Sequence, residues 1–326
     1  MFPTVYFRVW YDQISVHDLV GELVDWEDQN QAVAVLEPIH CVYLSLYSSL
    51  FGDSPALLSL LQSVQASGCE ALFCHGTRHM IVKSTVNDRH TTLICPSNIQ
   101  VLHIEFPLLF VPTCISFTLA ALHSAPLRDL AFTNTSLTHN QWSTLLRRLT
   151  LPHLSVLKIN DTCPISSLVG FLHRHRVEHL RFCCHTACSL DLVKRRRSRI
   201  PLRSLSTLDA SPAMITSLMC FVDIPLTFKH LVVRPNQVPD KHGLLSTLLA
   251  CTEPFADLSE LQVNIPGDVD DLLAYAMNND LRTCSAKEVF LAVSPPLGNP
   301  DAIVSHHTLL SSLFEVVFKT RCAPWL

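Results

Sequence analysis

The densest group of chemistry-bearing side chains lies between residues 173 and 188. His173, His175, His179, Cys183, Cys184, His185 and Cys188 place seven imidazoles and thiols within sixteen residues. Soft and borderline metals bind such groups, so the stretch is a candidate for a zinc site or for catalysis by a metal or a thiolate. Zinc fingers and ribbons hold their thiolates in Cys-x-x-Cys pairs, and the chain has no such pair. The alternative is a thiol-rich strand end with surface histidines, which needs no metal and no cofactor.

A second group is the basic run Lys194, Arg195, Arg196, Arg197 and Arg199, five cations in six residues. It reads as a solvated loop, an anion-binding patch or a nuclear-localisation signal. Aromatic residues on which single-stranded nucleic acid would stack are missing from it. Cys74-His75, Asp270-Asp271 and His306-His307 are adjacent pairs without a third partner in sequence, and the two aspartates suit the start of a helix. Only 8 glycines occur, and no GxGxxG, GxxxxGK[ST] or GxSxG motif is present. The usual phosphate loops and the nucleophile elbow are thereby excluded, and an enzyme is not expected.

The composition fits a packed, uncharged interior. Of 326 residues 48% are hydrophobic and 16% charged, which excludes a disordered chain. A net charge of -4 creates no field favouring nucleic acid or an anionic membrane. The start of the chain, Met1 to Arg8, lacks the basic-then-apolar order of a secretory signal. A cytoplasmic or nuclear location follows, with the 13 cysteines reduced. There the sequons at Asn134 and Asn160 carry no sugar. The longest apolar run, Pro107–Leu122, is broken by Pro112 and falls short of the roughly 20 residues of a membrane span. It reads instead as a strand end followed by a packed helix.

The elements that position these groups emerge from a repeat. Two apolar residues three apart, and a third two further on, recur ten times: at Cys41/Leu44/Leu46, Cys69/Leu72/Cys74, Ile99/Leu102/Ile104, Leu127/Leu130/Phe132, Leu154/Leu157/Ile159, Val177/Leu180/Phe182, Leu205/Leu208/Ala210, Phe228/Leu231/Val233, Leu258/Leu261/Val263 and Ala286/Val289/Leu291. The central positions are 23 to 30 residues apart. Between the triplets lie stretches of helical period: 54–67, 112–124, 139–149, 164–175, 212–222, 241–251, 269–278 and 306–318. Each unit reads strand, turn, helix, return loop, and only stacking buries its apolar side. Residues 1–38 fall outside the period. Ser15-Val16-His17-Asp18 resembles a capping box opening a helix, with strands expected at Val5–Tyr11 and Ala32–Leu36.

Leu127 to Leu137 and Leu154 to Thr162 resemble leucine-rich repeats of the long, ribonuclease-inhibitor-like kind, and the chain resembles fungal F-box/leucine-rich-repeat proteins in style. The usual Asn or Cys three residues beyond the strand is mostly replaced, as by Thr135 and Thr162. The resemblance implies an α/β solenoid, a horseshoe with parallel strands on its concave face and helices on its convex face. It divides the chain into an N-terminal cap or remnant adaptor segment (1–38), about ten units (39–295) and a C-terminal capping helix and tail (296–326).

The function implied is a non-enzymatic scaffold binding a protein ligand on the concave surface, with substrate recognition in a ubiquitin ligase, through its adaptor, as one version. The candidate partner-binding residues are Arg128, Lys158, Glu178, Arg181, Lys229, Glu260, Gln262 and Glu288. Nucleic acid and membrane are not expected partners. The alternatives are a metal-binding or catalytic protein using the 173–188 cluster and, by fold analogy, a small-GTPase regulator.

Overall fold

A computed structural model describes residues 4–10, 13–17, 23–26, 40–46, 55–76, 97–105, 107–183, 199–225, 228–234, 255, 258–266 and 288–294. They group into two compact units, divided between Val177 and Glu178.

Alternation along the triplets makes the strands of the first unit. With one apolar residue at the centre and another two places on, both must point to the same side of a pleated strand. Strands β1 (Thr4–Trp10), β4 (Cys41–Leu46), β5 (Ala71–Gly76), β6 (Val101–Glu105), β7 (Asp129–Thr133) and β8 (Val156–Asn160) lie side by side and parallel. Leu72, Leu102, Leu130 and Leu157 pair centre to centre and are at most 1% exposed. At each step from β4 to β8 one carbonyl, two residues before the centre, accepts two amides of the next unit. Gln100 O takes Arg128 N and Asp129 N at 2.7 and 3.1 Å, and Arg128 O takes Ser155 N and Val156 N at 3.0 and 2.9 Å.

The helices fill the long crossovers that parallel strands require. They are α1 (Pro55–Ala66), α2 (Ile115–Ser124), α3 (His139–Arg148) and α4 (Ile165–Arg174). Gly68, at φ +77°, occupies the left-handed position after α1 where a Cβ would be strained. Thr138 opens α3 with a capping box: its Oγ1 accepts from Gln141 N, and its own N–H donates to Gln141 Oε1 at 2.8 Å. The fully buried Trp142 of α3 meets Phe132 of β7 edge to face at 5.3 Å, which locks helix to sheet.

The second unit repeats the plan with β9 (His179–Phe182), β11 (Thr207–Ala210), β13 (His230–Val233), β14 (Glu260–Pro266) and β15 (Glu288–Ser294), parallel and in that order. Leu180, Leu208, Leu231, Leu261 and Val289 share one register. Helix α5 (Pro212–Met219) follows β11. A separate pair, β10 (Ile200–Pro201) and β12 (Val222–Asp223), ties the two connections flanking it.

Four expectations need correction. No helix opens at Ser15. Residues Gln13–His17 form β2 and Leu23–Trp26 form β3, antiparallel to β1 and to each other. Ile14 and Val16 alternate at period two, and β1 offers them an open edge, so tertiary pairing overrides the local cap signal. The first triplet is also framed two residues early in the structure, because Val42 pairs with Leu72, and Leu44 with Cys74. A shift of two keeps every side chain on its own face, and the double acceptor at His40 O selects this frame. Finally, Pro107–Phe110 is a short 3-10 turn rather than a strand end, since prolines 107 and 112 bring no N–H to a ladder. Helix α5 also stops at Met219, before the expected 222. The strand expected at Ala32–Leu36 and the helices expected at 241–251, 269–278 and 306–318 lie outside the described residues.

Candidate partner-binding face

If the centre of each strand and the residue two beyond it face inward, the residues between and beside them form the opposite, open face. Three rows run across the strands: a lower row one residue before the centre, a middle row one after it, and an upper row three after it.

In the first unit the middle row reads Tyr43, Phe73, His103, Ala131, Lys158. Tyr43 and Phe73 stack at 4.5 Å and 9°, and His103 meets Phe73 edge-on at 4.7 Å. In the upper row His75 Nδ1 lies 2.6 Å from Glu105 Oε2 on the next strand. Asp129, in the lower row, receives two neighbours. Lys158 donates to its Oδ2 at 2.8 Å, and His103 Nε2 lies 3.2 Å from its Oδ1. The second contact is within ion-pair reach but misses hydrogen-bond geometry. Burial alone would raise the Asp129 carboxyl. The His103 contact, the Lys158 bond and their charges outweigh that and hold it below its ordinary value.

In the second unit Asp209 plays the same part. It is 14% exposed and lies between two guanidiniums, Arg234 Nε at 2.6 Å and Arg181 Nε at 3.6 Å. The Asp209 bond raises the Arg234 pKa against the opposing effect of burial. The Cys183 thiol of the upper row is raised, chiefly by burial. His230 Nδ1 lies 2.9 Å from Glu260 Oε2, and Gln262 Nε2 donates to Asn264 Oδ1 at 3.1 Å. Phe290, next along the middle row, is 51% exposed.

The expected binding residues therefore separate. Lys158, Arg181 and Gln262 stand in the middle row, while Glu260 and Glu288 hold the lower-row register on β14 and β15. Arg128, Glu178 and Lys229 sit one step earlier, in the turns whose carbonyls accept the paired amides. They are exposed at the rim of the strands, not on their face. Of the basic run, Arg199 lies 3.8 Å from Asp223, and Lys194 to Arg197 lie outside the described residues. Sequence reasoning missed His103, Glu105, Asp129, Asp209 and Arg234, and named His75 only beside Cys74. All stand one before, one after or three after a central position, so the triplet frame itself was the signal that could have found them.

Among the described residues, Cys74 and His75 do not come together as a pair. Cys74 is fully buried, its thiol pushed far up by loss of solvation, while His75 points to the open face. Cys69 and Cys114 are likewise buried and pushed up to about 12. Burial is the main cause for both, and such thiols are poor nucleophiles. Among the described residues no cysteine forms a disulfide. In the 173–188 cluster, His175 stacks on Phe171 at 3.9 Å with Nδ1 2.8 Å from the Phe171 carbonyl, and its pKa is lowered, mainly by burial. His173 is exposed at the end of α4, His179 belongs to β9, and Cys183 directly follows that strand. Cys184, His185 and Cys188, like Asp270, Asp271, His306 and His307, lie outside the described residues. Among the described residues no three His, Cys, Asp or Glu side chains converge as metal ligands. No helix among them is long and apolar enough to cross a membrane. Neither a protein-family model nor a curated protein sequence matches the chain.

Proposed function

We propose that this chain is a binding scaffold of the leucine-rich-repeat kind, a solenoid whose open strand face is the concave surface and takes a protein ligand. The observation that supports it most is the shared register. Each unit sets consecutive parallel strands in one frame, so that polar side chains stand in rows and are tied across strands at Asp129, Glu105, Asp209 and Glu260. Side chains held in place before binding lose less entropy on binding, which is what a recognition surface requires. Substrate recognition for a ubiquitin ligase is the concrete version we favour, on the strength of the repeat resemblance.

The test is affinity capture with the full chain as bait, alongside Lys158→Gln and Arg181→Gln. Captured protein should fall away with both substitutions while circular dichroism is unchanged. In the ligase version an adaptor subunit accompanies the captured protein. Capture that ignores both substitutions overturns the assignment of the face.

A further inference from the structure

We propose that the second unit carries an oxyanion site, formed by Arg181 and Arg234 around Asp209, which takes an acidic side chain of an extended peptide, either a carboxylate or a phosphate ester. This rests on the scaffold reading and specifies the chemistry of the ligand.

The charge count sets the sign. On the middle and upper rows of β9, β11, β13 and β14, the charged side chains among the described residues are Arg181, Asp209 and Arg234. One carboxylate faces two guanidiniums, leaving one cation unmatched. The neighbours on β14, Gln262 and Asn264, are neutral amides bonded to each other. The other acid on these strands' lower row, Glu260, is engaged by His230 at 2.9 Å.

The geometry then says which atoms are available. Both arginines reach Asp209 through Nε, at 3.6 and 2.6 Å. Besides Asp209 and the Cys183 thiol, no group among the described residues holds either guanidinium. A guanidinium has five N–H donors in a planar fork, so the Nη ends remain to donate to a ligand. Exposure follows the same order: Asp209 is 14% exposed, whereas Arg234 and Arg181 are 38% and 48% exposed. The aspartate is the inner hub that orients two outward forks. Their strands, β9 and β13, stand two places apart in the sheet, about 10 Å between backbones. Two arginine side chains can close that gap over one oxyanion. Carboxylate and phosphate both accept such paired bonds. The exposed ring of Phe290, two strands beyond β13, gives a peptide an apolar contact that a free ion would not use.

The experiment is fluorescence anisotropy on the full chain with three labelled probes: hexaglutamate, a neutral peptide with one phosphoserine, and hexaglutamine. Saturable binding of hexaglutamate, of the phosphoserine peptide or of both supports the site and says which oxyanion it takes. Hexaglutamine should not bind. Rising salt should weaken the complex. Arg181→Gln and Arg234→Gln should each weaken it about ten-fold, the effect of losing one charge-assisted pair. Arg203→Gln, an exposed cation elsewhere in the unit, should leave it unchanged. Arg234→Lys keeps the charge without the fork, so it should bind better than Arg234→Gln and worse than the natural chain. The proposal is overturned if neither acidic probe saturates, or if both glutamine variants bind as the natural chain does. Capture that is lost with Lys158→Gln but kept with Arg234→Gln would overturn this site alone. Capture indifferent to all of these changes would remove the scaffold face as well.

Discussion

Replacing Asp129 by asparagine keeps the size of the side chain and removes its charge where three strands are tied together. Lys158 Nζ lies 2.8 Å from one oxygen and His103 Nε2 3.2 Å from the other, with Asp129 23% and Lys158 35% exposed. A hydrogen bond to a charged group contributes about 1.5–3 kcal/mol when well buried, and an exposed ion pair about 0.2–1 kcal/mol. This pair lies between those limits. Lys158 still reaches water after the substitution, so the 3–5 kcal/mol or so for stranding a buried charge does not apply. We expect Asp129→Asn to cost about 1–1.5 kcal/mol at neutral pH. The pH dependence tests the cause. The folded carboxyl is held below its unfolded value of about 3.9. Its contribution is therefore complete above that value and is lost as pH falls through the lower, folded pKa. Urea unfolding followed by circular dichroism should give that gap between the two chains at about pH 7, and the gap should shrink as pH falls below about 3.9. A gap that persists in acid would show that packing, not charge, holds Asp129. No gap at pH 7 would refute the ion-pair argument altogether.

Three further outcomes follow from the same structure. Leu130→Ala, at a fully buried central position, should cost about 2–5 kcal/mol, while Phe290→Ala, half exposed, should stay within about 0.5 kcal/mol in the same unfolding experiment. Thr138→Ala removes the side-chain half of the α3 capping box, leaving the backbone N–H bond to Gln141, and should lower stability by about 0.5–2 kcal/mol, visible as a reduced denaturation midpoint. Cys69, Cys74 and Cys114 should resist a thiol reagent at about pH 8 until denaturant is added, because each is buried and poorly ionised. Rapid labelling of Cys74 in the folded chain, read by mass spectrometry, would contradict its placement.

How far the chain could be read from its residues depended on the range of the forces involved. The triplets are local and periodic, so the parallel strands from Leu72 to Val289 and the helices at 55–66, 115–124, 139–148 and 165–174 were legible without any tertiary knowledge. Two-residue register was not. Ile39/Val42/Leu44 and Cys41/Leu44/Leu46 are equally good triplets on one face, and only the hydrogen bonds from Glu70 and Ala71 to His40 O decide between them. The strands at Gln13–His17 and Leu23–Trp26 were hidden for a similar reason. Their pairing depends on an edge that β1 supplies from elsewhere in the chain. On the candidate face, the expected residues were taken from the variable positions beside the triplets, and the exact row was not legible. Arg128 and Lys229 lie in the turns, while Asp209 and Arg234 stand in the middle and upper rows.

Asp129 and Asp209 also show why the two open faces differ although the units share one plan. Each is a poorly exposed carboxylate that gathers one basic side chain from the strand before it and one from the strand after. In the first unit those partners are an imidazole and an ammonium. The lysine alone matches the aspartate, and the histidine adds a contact without a fixed charge. In the second unit both partners are guanidiniums, which stay charged throughout the range in which the protein folds. The same hub is therefore balanced on Asp129 and carries a surplus cation on Asp209. Side chains beside the hubs follow that division: the stacked Tyr43 and Phe73 adjoin the balanced one, and the neutral Gln262–Asn264 pair adjoins the cationic one. Taken each by itself, the first unit's face sets aromatic edges beside its hub, and the second unit's face sets paired arginines beside its own.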